Sequence, residues 1–149
     1  MENQAQIDYL KKQIELAIKG LFTRRNNNKT KAFVFQISIT ILSSISTIIL
    51  GLNIPELKEF TRITALIIST LITIFSGIDA FFNHKRLWTT YADTLNAMYS
   101  LRFDLEYTLL RGEPITNENL DNFKNRYQAI LDTSNEKWMK LRNNDCIQE

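Results

Sequence analysis

The pattern of apolar and polar positions changes character twice along this chain. Residues 32–55 carry no charge at all, and across residues 63–82 only Asp79 does. Each apolar run is about 20 residues long, enough for an α-helix to cross about 30 Å of hydrocarbon. A helix in a soluble core alternates polar and apolar positions at helical period. The segment FVFQISITILSSISTIILGL instead places isoleucine and leucine all round the wheel. This predicts a transmembrane hairpin with spans at residues 33–52 and 63–82 and an external loop at residues 53–62. The competing reading is a soluble helical hairpin hidden in an oligomer. Pro55 ends the first helix, because it lacks an N–H and restricts Ile54 before it.

Outside the hairpin the helical period returns. Over residues 3–25, Ile7, Leu10, Ile14, Ala17, Ile18 and Leu21 share one face, and Asn3 and Gln6 have capping-box spacing. Asn26, Asn27 and Asn28 predict an interruption, since asparagine competes for backbone hydrogen bonds and favours turns. After the second span no stop signal stands out before Gly112. Trp88, Tyr91, Leu95, Met98, Arg102, Leu105 and Leu109 step by three and four, like the seam of a coiled coil. The expectation is one unbroken helix over residues 63–111, on the order of 70 Å long. Gly112 serves as its C-cap with Pro114 beyond, and Thr116 is the N-cap of a last helix at residues 117–142. The apolar face of that last helix is Leu120, Phe123, Tyr127, Ile130, Leu131, Trp138 and Leu141. The fold class expected is an all-α membrane protein, a single module of 149 residues. It comprises a two-span hairpin and a cytoplasmic helical bundle built from residues 3–25, 83–111 and 117–142.

Charge sets the orientation. Lys19, Arg24, Arg25, Lys29 and Lys31 precede the first span, and Lys85, Arg86 and Arg102 follow the second. In the loop, Lys58 and Arg62 are balanced by Glu56 and Glu59. The bias places both termini in the cytoplasm and the protein in the inner membrane, with Arg24, Arg25, Lys85 and Arg86 against anionic lipid heads. The N-terminus MENQAQIDYLKK lacks the basic-then-apolar order of a signal peptide. A formal net charge of +2 gives no argument for a nucleic-acid partner. The single cysteine, Cys146, supports neither a disulfide framework nor a metal site and suits a reducing compartment.

The chemistry on offer is that of polar atoms in an apolar setting. The four glycines lie far apart, so no phosphate-cradling loop is present, and His84 is the only histidine. We therefore expect no enzyme, no catalytic residue, no cofactor and no metal. Gln36, Thr40, Ser43, Ser44 and Thr47 form a stripe on the first span. Ser69, Thr70, Thr73, Ser76 and Gly77 form a similar one on the second, while Ser38 and Ser46 lie off the stripe. Such hydroxyls either line a water-filled pore or serve helix packing, in part by bonding back to their own helix. Asp79 is either paired with Lys31 as an interfacial pin, or one member of an acidic ring at a pore mouth. Trp88, Tyr91, Leu95, Met98 and Leu105 form a seam that must be covered by another helix, of the same chain or of a neighbour. A two-span monomer has too little polar lining to enclose water, so conduction requires a homo-oligomer.

This layout resembles the SLATT family, the SMODS and SLOG-associating two-transmembrane effector domains. A short amphipathic lead, a tight two-span hairpin, the stretch HKRLWTTYADTLNAMYSLRFDLEYTLL and a further helix carry the resemblance, over about residues 5–142. Its motifs are weak, resting on architecture and on Trp88 and Tyr91 just after the second span. The resemblance implies a bacterial conflict effector that oligomerises and depolarises the membrane in antiviral defence by abortive infection. The signal would come from a separately encoded sensor protein or a nucleotide. It carries over no catalytic residue. Two other classes stand beside it: a non-conducting membrane anchor that recruits a cytosolic partner, and a holin-like lysis protein. The structured segments after the second span disfavour the holin.

Overall fold

The computed structural model describes residues 2–51, 58–112 and 115–144. Among the described residues the chain is all-helical, 96% helix with no strand. Four helices follow in order: α1 (Glu2–Gly51), α2 (Lys58–Phe82), α3 (His84–Leu110) and α4 (Asn117–Asn144). They divide into two compact units, one from the start of the chain to Asn27 together with Arg86 onward, the other from Asn28 to Lys85.

Helix α1 corrects two expectations. It runs through residues 26–28 without interruption, and Asn3 lies inside it rather than at a cap. An asparagine costs at most about 0.7 kcal/mol in a helix interior, which long helical flanks on both sides override. Asn28 Oδ1 also meets His84 Nδ1 at 3.0 Å, a contact made from within the helix.

The first unit is a three-helix arrangement around one core. Ile7, Leu10, Ile14, Ile18 and Leu21 of α1 meet Leu95, Met98, Leu101 and Leu105 of α3, with Ile115, Leu120 and Phe123 closing the third side. Tyr91, Leu109, Tyr127, Ile130 and Leu131 pack against this cluster. The expected faces of all three segments are therefore those that are buried, with two differences. Leu101 is fully buried where the expected seam has Arg102. Arg102 instead pairs with Glu106 at 3.7 Å and lies over the Tyr99 ring. Trp138 is 42% exposed although Leu141 beyond it on the same face is half-buried. Burying each large aliphatic side chain contributes about 1.5–3 kcal/mol, whereas the exposed Arg126–Asp104 pair at 2.6 Å adds little. The caps form as expected. Thr116 Oγ1 accepts from the Asn119 N–H at 3.2 Å, and Gly112 adopts φ 71° just past α3.

Gly20 sits in the interior of α1 with open space around a would-be Cβ. Gly20→Ala should therefore stabilise this unit by about 1 kcal/mol, through the helix preference of alanine. A thermal unfolding midpoint that fails to rise would mean the site is not free.

The second unit is a helical hairpin. Its inner face on α1 is Ala32, Phe35, Ser38, Ile39, Leu42, Ser46 and Ile49; on α2 it is Thr64, Ala65, Ile68, Ile72, Phe75 and Asp79. Steps of three and four on both helices are those of a packed antiparallel pair. Phe35 meets Phe75 edge to face at 6.3 Å, and Asn28 meets His84, which fixes the register. Apart from half-buried Ser43, Thr61 and Ile78, the other positions between residues 32 and 50 and between 61 and 80 face out. Both helices contain an apolar window of mean hydropathy 2.0 that is only 6% buried. By length and composition both are apolar enough to cross a membrane, and unlike the core helix of a soluble protein neither window is mostly buried.

The expected unbroken helix over residues 63–111 is not seen. Asn83 separates α2 from α3 with φ 46°. Asparagine tolerates this left-handed region better than most residues. Its N–H still donates to the Asp79 carbonyl at 2.8 Å, so the break is a single residue. Lys58 to Arg62, expected in the loop, already belong to α2. The expectations for Pro55, Pro114 and Cys146 lie outside the described residues.

Candidate functional site

The hairpin separates small polar residues into two sets. Gln36, Thr40, Ser44 and Thr47 of the first stripe are exposed, and Ser43 is half-buried. Ser69, Thr70, Thr73 and Ser76 of the second stripe are exposed as well. The serines off the stripe are the ones packed inside: Ser38 is half-buried and Ser46 is 7% exposed. Helix packing within the hairpin is thus done by Ser38, Ser46 and Ala65, and the two stripes are left facing outward. Their hydroxyls are not left bare. Thr40 donates to the Gln36 carbonyl at 2.8 Å, Ser44 to Thr40 at 2.9 Å and Thr47 to Ser43 at 2.9 Å. On α2, Thr70 donates to Leu66 at 2.9 Å and Thr73 to Ser69 at 3.0 Å. A hydroxyl satisfied in this way tolerates lipid and keeps a lone pair for water or a neighbouring helix.

At the other end of the hairpin lies a cluster that sequence reasoning did not assemble. His84 is 7% exposed. Its ring is stacked on Phe35 of α1 at 6.0 Å and on Phe82 of α2 at 5.5 Å, near-parallel to both. His84 Nδ1 lies 3.0 Å from Asn28 Oδ1. A carboxamide oxygen only accepts, so Nδ1 carries the proton. Burial holds the imidazole pKa below its ordinary value, Lys31 pushes the same way, and Asp79 opposes. The available signal was a lone histidine beside an asparagine at the edge of an apolar run.

The expected Lys31–Asp79 pin is not formed. Lys31 is exposed, and Asp79 Oδ1 is buried with no hydrogen-bond partner. An unpaired buried carboxylate oxygen is costly, and such groups concentrate where a site must stay available.

The expected assembly seam is also used up within the chain. Leu95, Met98 and Leu105 are buried in the first unit's own core, with Tyr91 packed against it and Trp88 half-buried. What α3 presents outward is Tyr99, Phe103, Tyr107 and Leu110, with Phe103 stacked on Tyr107 at 6.0 Å. Between the start of α1 and α4 a cleft of about 640 Å³ opens, lined by Gln6, Tyr9, Gln13, Asp121, Lys124 and Tyr127 among others. Burial and the nearby Tyr9 hold the Tyr127 phenol above its usual pKa, so it stays a neutral donor at physiological pH. Comparison with known protein families, curated proteins and solved structures finds no match to this chain.

Proposed function

We propose that this chain is a membrane effector that inserts as a two-span hairpin and assembles into a homo-oligomer. On a signal from a partner sensor it opens a path for ions. The observation that carries the reading is the outward placement of both polar stripes on an otherwise apolar hairpin. Lipid gives no reason to hold Gln36, Thr40, Ser44 and Thr47 on one face; a second helix or a column of water does. The excess of lysine and arginine flanking the spans supports cytoplasmic termini and an inner-membrane location. The resemblance to the SLATT layout agrees with a conflict effector that depolarises the cell in antiviral defence.

Asp79 supplies the electrostatic part. Its Oδ1 is buried without a hydrogen-bond partner in the closed hairpin, so a cation reaches it only once opening exposes that oxygen. Asp79→Asn keeps the volume and removes one charge from every subunit. In proteoliposomes or planar bilayers, the variant should assemble at wild-type size and lose cation selectivity. Because no partner is stranded by the change, its stability should equal or exceed that of the parent. An inserted, oligomeric wild-type protein that passes no current with its signal present would defeat the pore. The outward row Tyr99, Phe103, Tyr107 and Leu110 favours a second reading, an anchor that recruits a cytosolic protein through α3.

A further inference from the structure

We propose that His84, Asn28, Phe35 and Phe82 form a proton-sensitive latch that holds the inner end of the hairpin closed while His84 is neutral and releases it when His84 is charged. The four residues come from both arms of the hairpin. Asn28 and Phe35 belong to α1, Phe82 ends α2, and His84 begins α3 one residue after the left-handed Asn83. His84 therefore sits where closing the hairpin and turning out of α2 are decided together. Its ring lies near-parallel to both phenyl rings, and its one proton is committed to Asn28 Oδ1.

A second proton would go to Nε2 and place a full charge inside this stack. The charged groups that face it are Lys31 from α1 and Asp79 from α2, with Lys85 exposed next to it in the chain. Asp79 and the two phenyl faces favour the imidazolium, the latter by cation–π attraction. Burial and the Lys31 ammonium disfavour it, and they prevail, since the closed-state pKa is lowered. The opened state, with His84 in water, binds the proton more readily than the closed one. Closure is therefore complete above the ordinary imidazole pKa of 6.5. It weakens as pH falls through that value, until the closed form too is protonated. Each unit by which the closed-state pKa lies below the open one is a tenfold loss in the closing equilibrium. No other side chain in the cluster titrates in that window at its ordinary pKa.

The latch is testable without any current. His84 is the only histidine, so its imidazole resonances are unique in an NMR titration of the full chain in nanodiscs. Spin labels on Thr30→Cys and Ala80→Cys, in a Cys146→Ser background, report the gap between the two arms. The label distance should be short and narrowly distributed at pH 7.5. It should lengthen and broaden on acidification, with a midpoint that follows the imidazole titration. His84→Gln keeps a neutral donor for Asn28, and His84→Phe keeps the stack; both should lose the pH dependence. A histidine that titrates while the distance stays fixed overturns the proposal. So does the same pH response surviving in either variant. Neither result bears on whether the oligomer conducts.

Discussion

Leu95→Asp should unfold the first unit, not merely weaken association between copies. Leu95 is 2% exposed and belongs to the first unit's buried cluster, whose Ile, Leu, Met and Phe side chains offer no hydrogen bond. Removing the leucine alone is worth about 2–5 kcal/mol, as for other large-to-small changes in a packed core. The carboxylate adds a desolvation penalty of several kcal/mol, or the cost of protonating it. Domains of this size are stable by about 5–15 kcal/mol in total, so the sum removes most or all of it. Limited proteolysis in detergent should then cut α3 and α4 rapidly while the hairpin remains protected. Phe103→Asp is the matched control, because Phe103 is 65% exposed on the opposite face of α3. It should leave protease resistance intact. A resistant Leu95→Asp variant would show that this side chain is not in the core.

The contrast between Leu95 and Phe103 also marks how far the sequence could be read. The seam through Leu95, Met98 and Leu105 was legible from steps of three and four, because burial on one face leaves that period. Whether its cover came from the same chain or the next was not, since period records a buried face and not what buries it. The same holds in the hairpin. Isoleucine on all sides announced two apolar helices, yet it hid which side was inner. Lipid accepts isoleucine as readily as a partner helix does, so no amphipathic contrast remains. The decision fell to small residues at single positions, Ser38, Ser46 and Ala65. Against so many other hydroxyls they carried no distinct signal. Local preference misled at the asparagines in both directions. Residues 26–28 stayed helical under long flanks, while Asn83, one residue in the middle of a helical pattern, broke it. His84 read as a boundary residue; its partners come from α1, more than fifty positions earlier in the chain. Pairings at that separation leave no trace in local spacing.

Ser46→Phe should split the hairpin, and Thr47→Phe should not. The register fixed by Phe35 with Phe75, and Asn28 with His84, sets Ser46 level with Ala65. Ser46 is 7% and Ala65 4% exposed, so two small side chains face one another where α1 and α2 come together. Small residues at such a level let helices approach closely in a membrane, where there is no water-driven force to press them together. A phenyl ring there has no space unless the helices separate. Overpacking of this kind costs about 1–3 kcal/mol, a large share of what holds two membrane helices side by side. The hydroxyl itself matters little, so Ser46→Ala should be near neutral. Thr47 is adjacent in sequence but points outward, with its hydroxyl bonded to the Ser43 carbonyl at 2.9 Å. Disulfide capture between cysteines placed at Ile49 and Thr61, both half-buried at the far end of the hairpin, with Cys146 replaced by serine, reports whether the arms remain together. That capture should drop sharply in Ser46→Phe and stay at the parental level in Ser46→Ala and Thr47→Phe. If Thr47→Phe keeps the hairpin yet loses oligomer or current, the outward stripe is the surface that neighbouring copies or water use. If Ser46→Phe is captured as well as the parent, the inner and outer faces assigned to α1 are wrong.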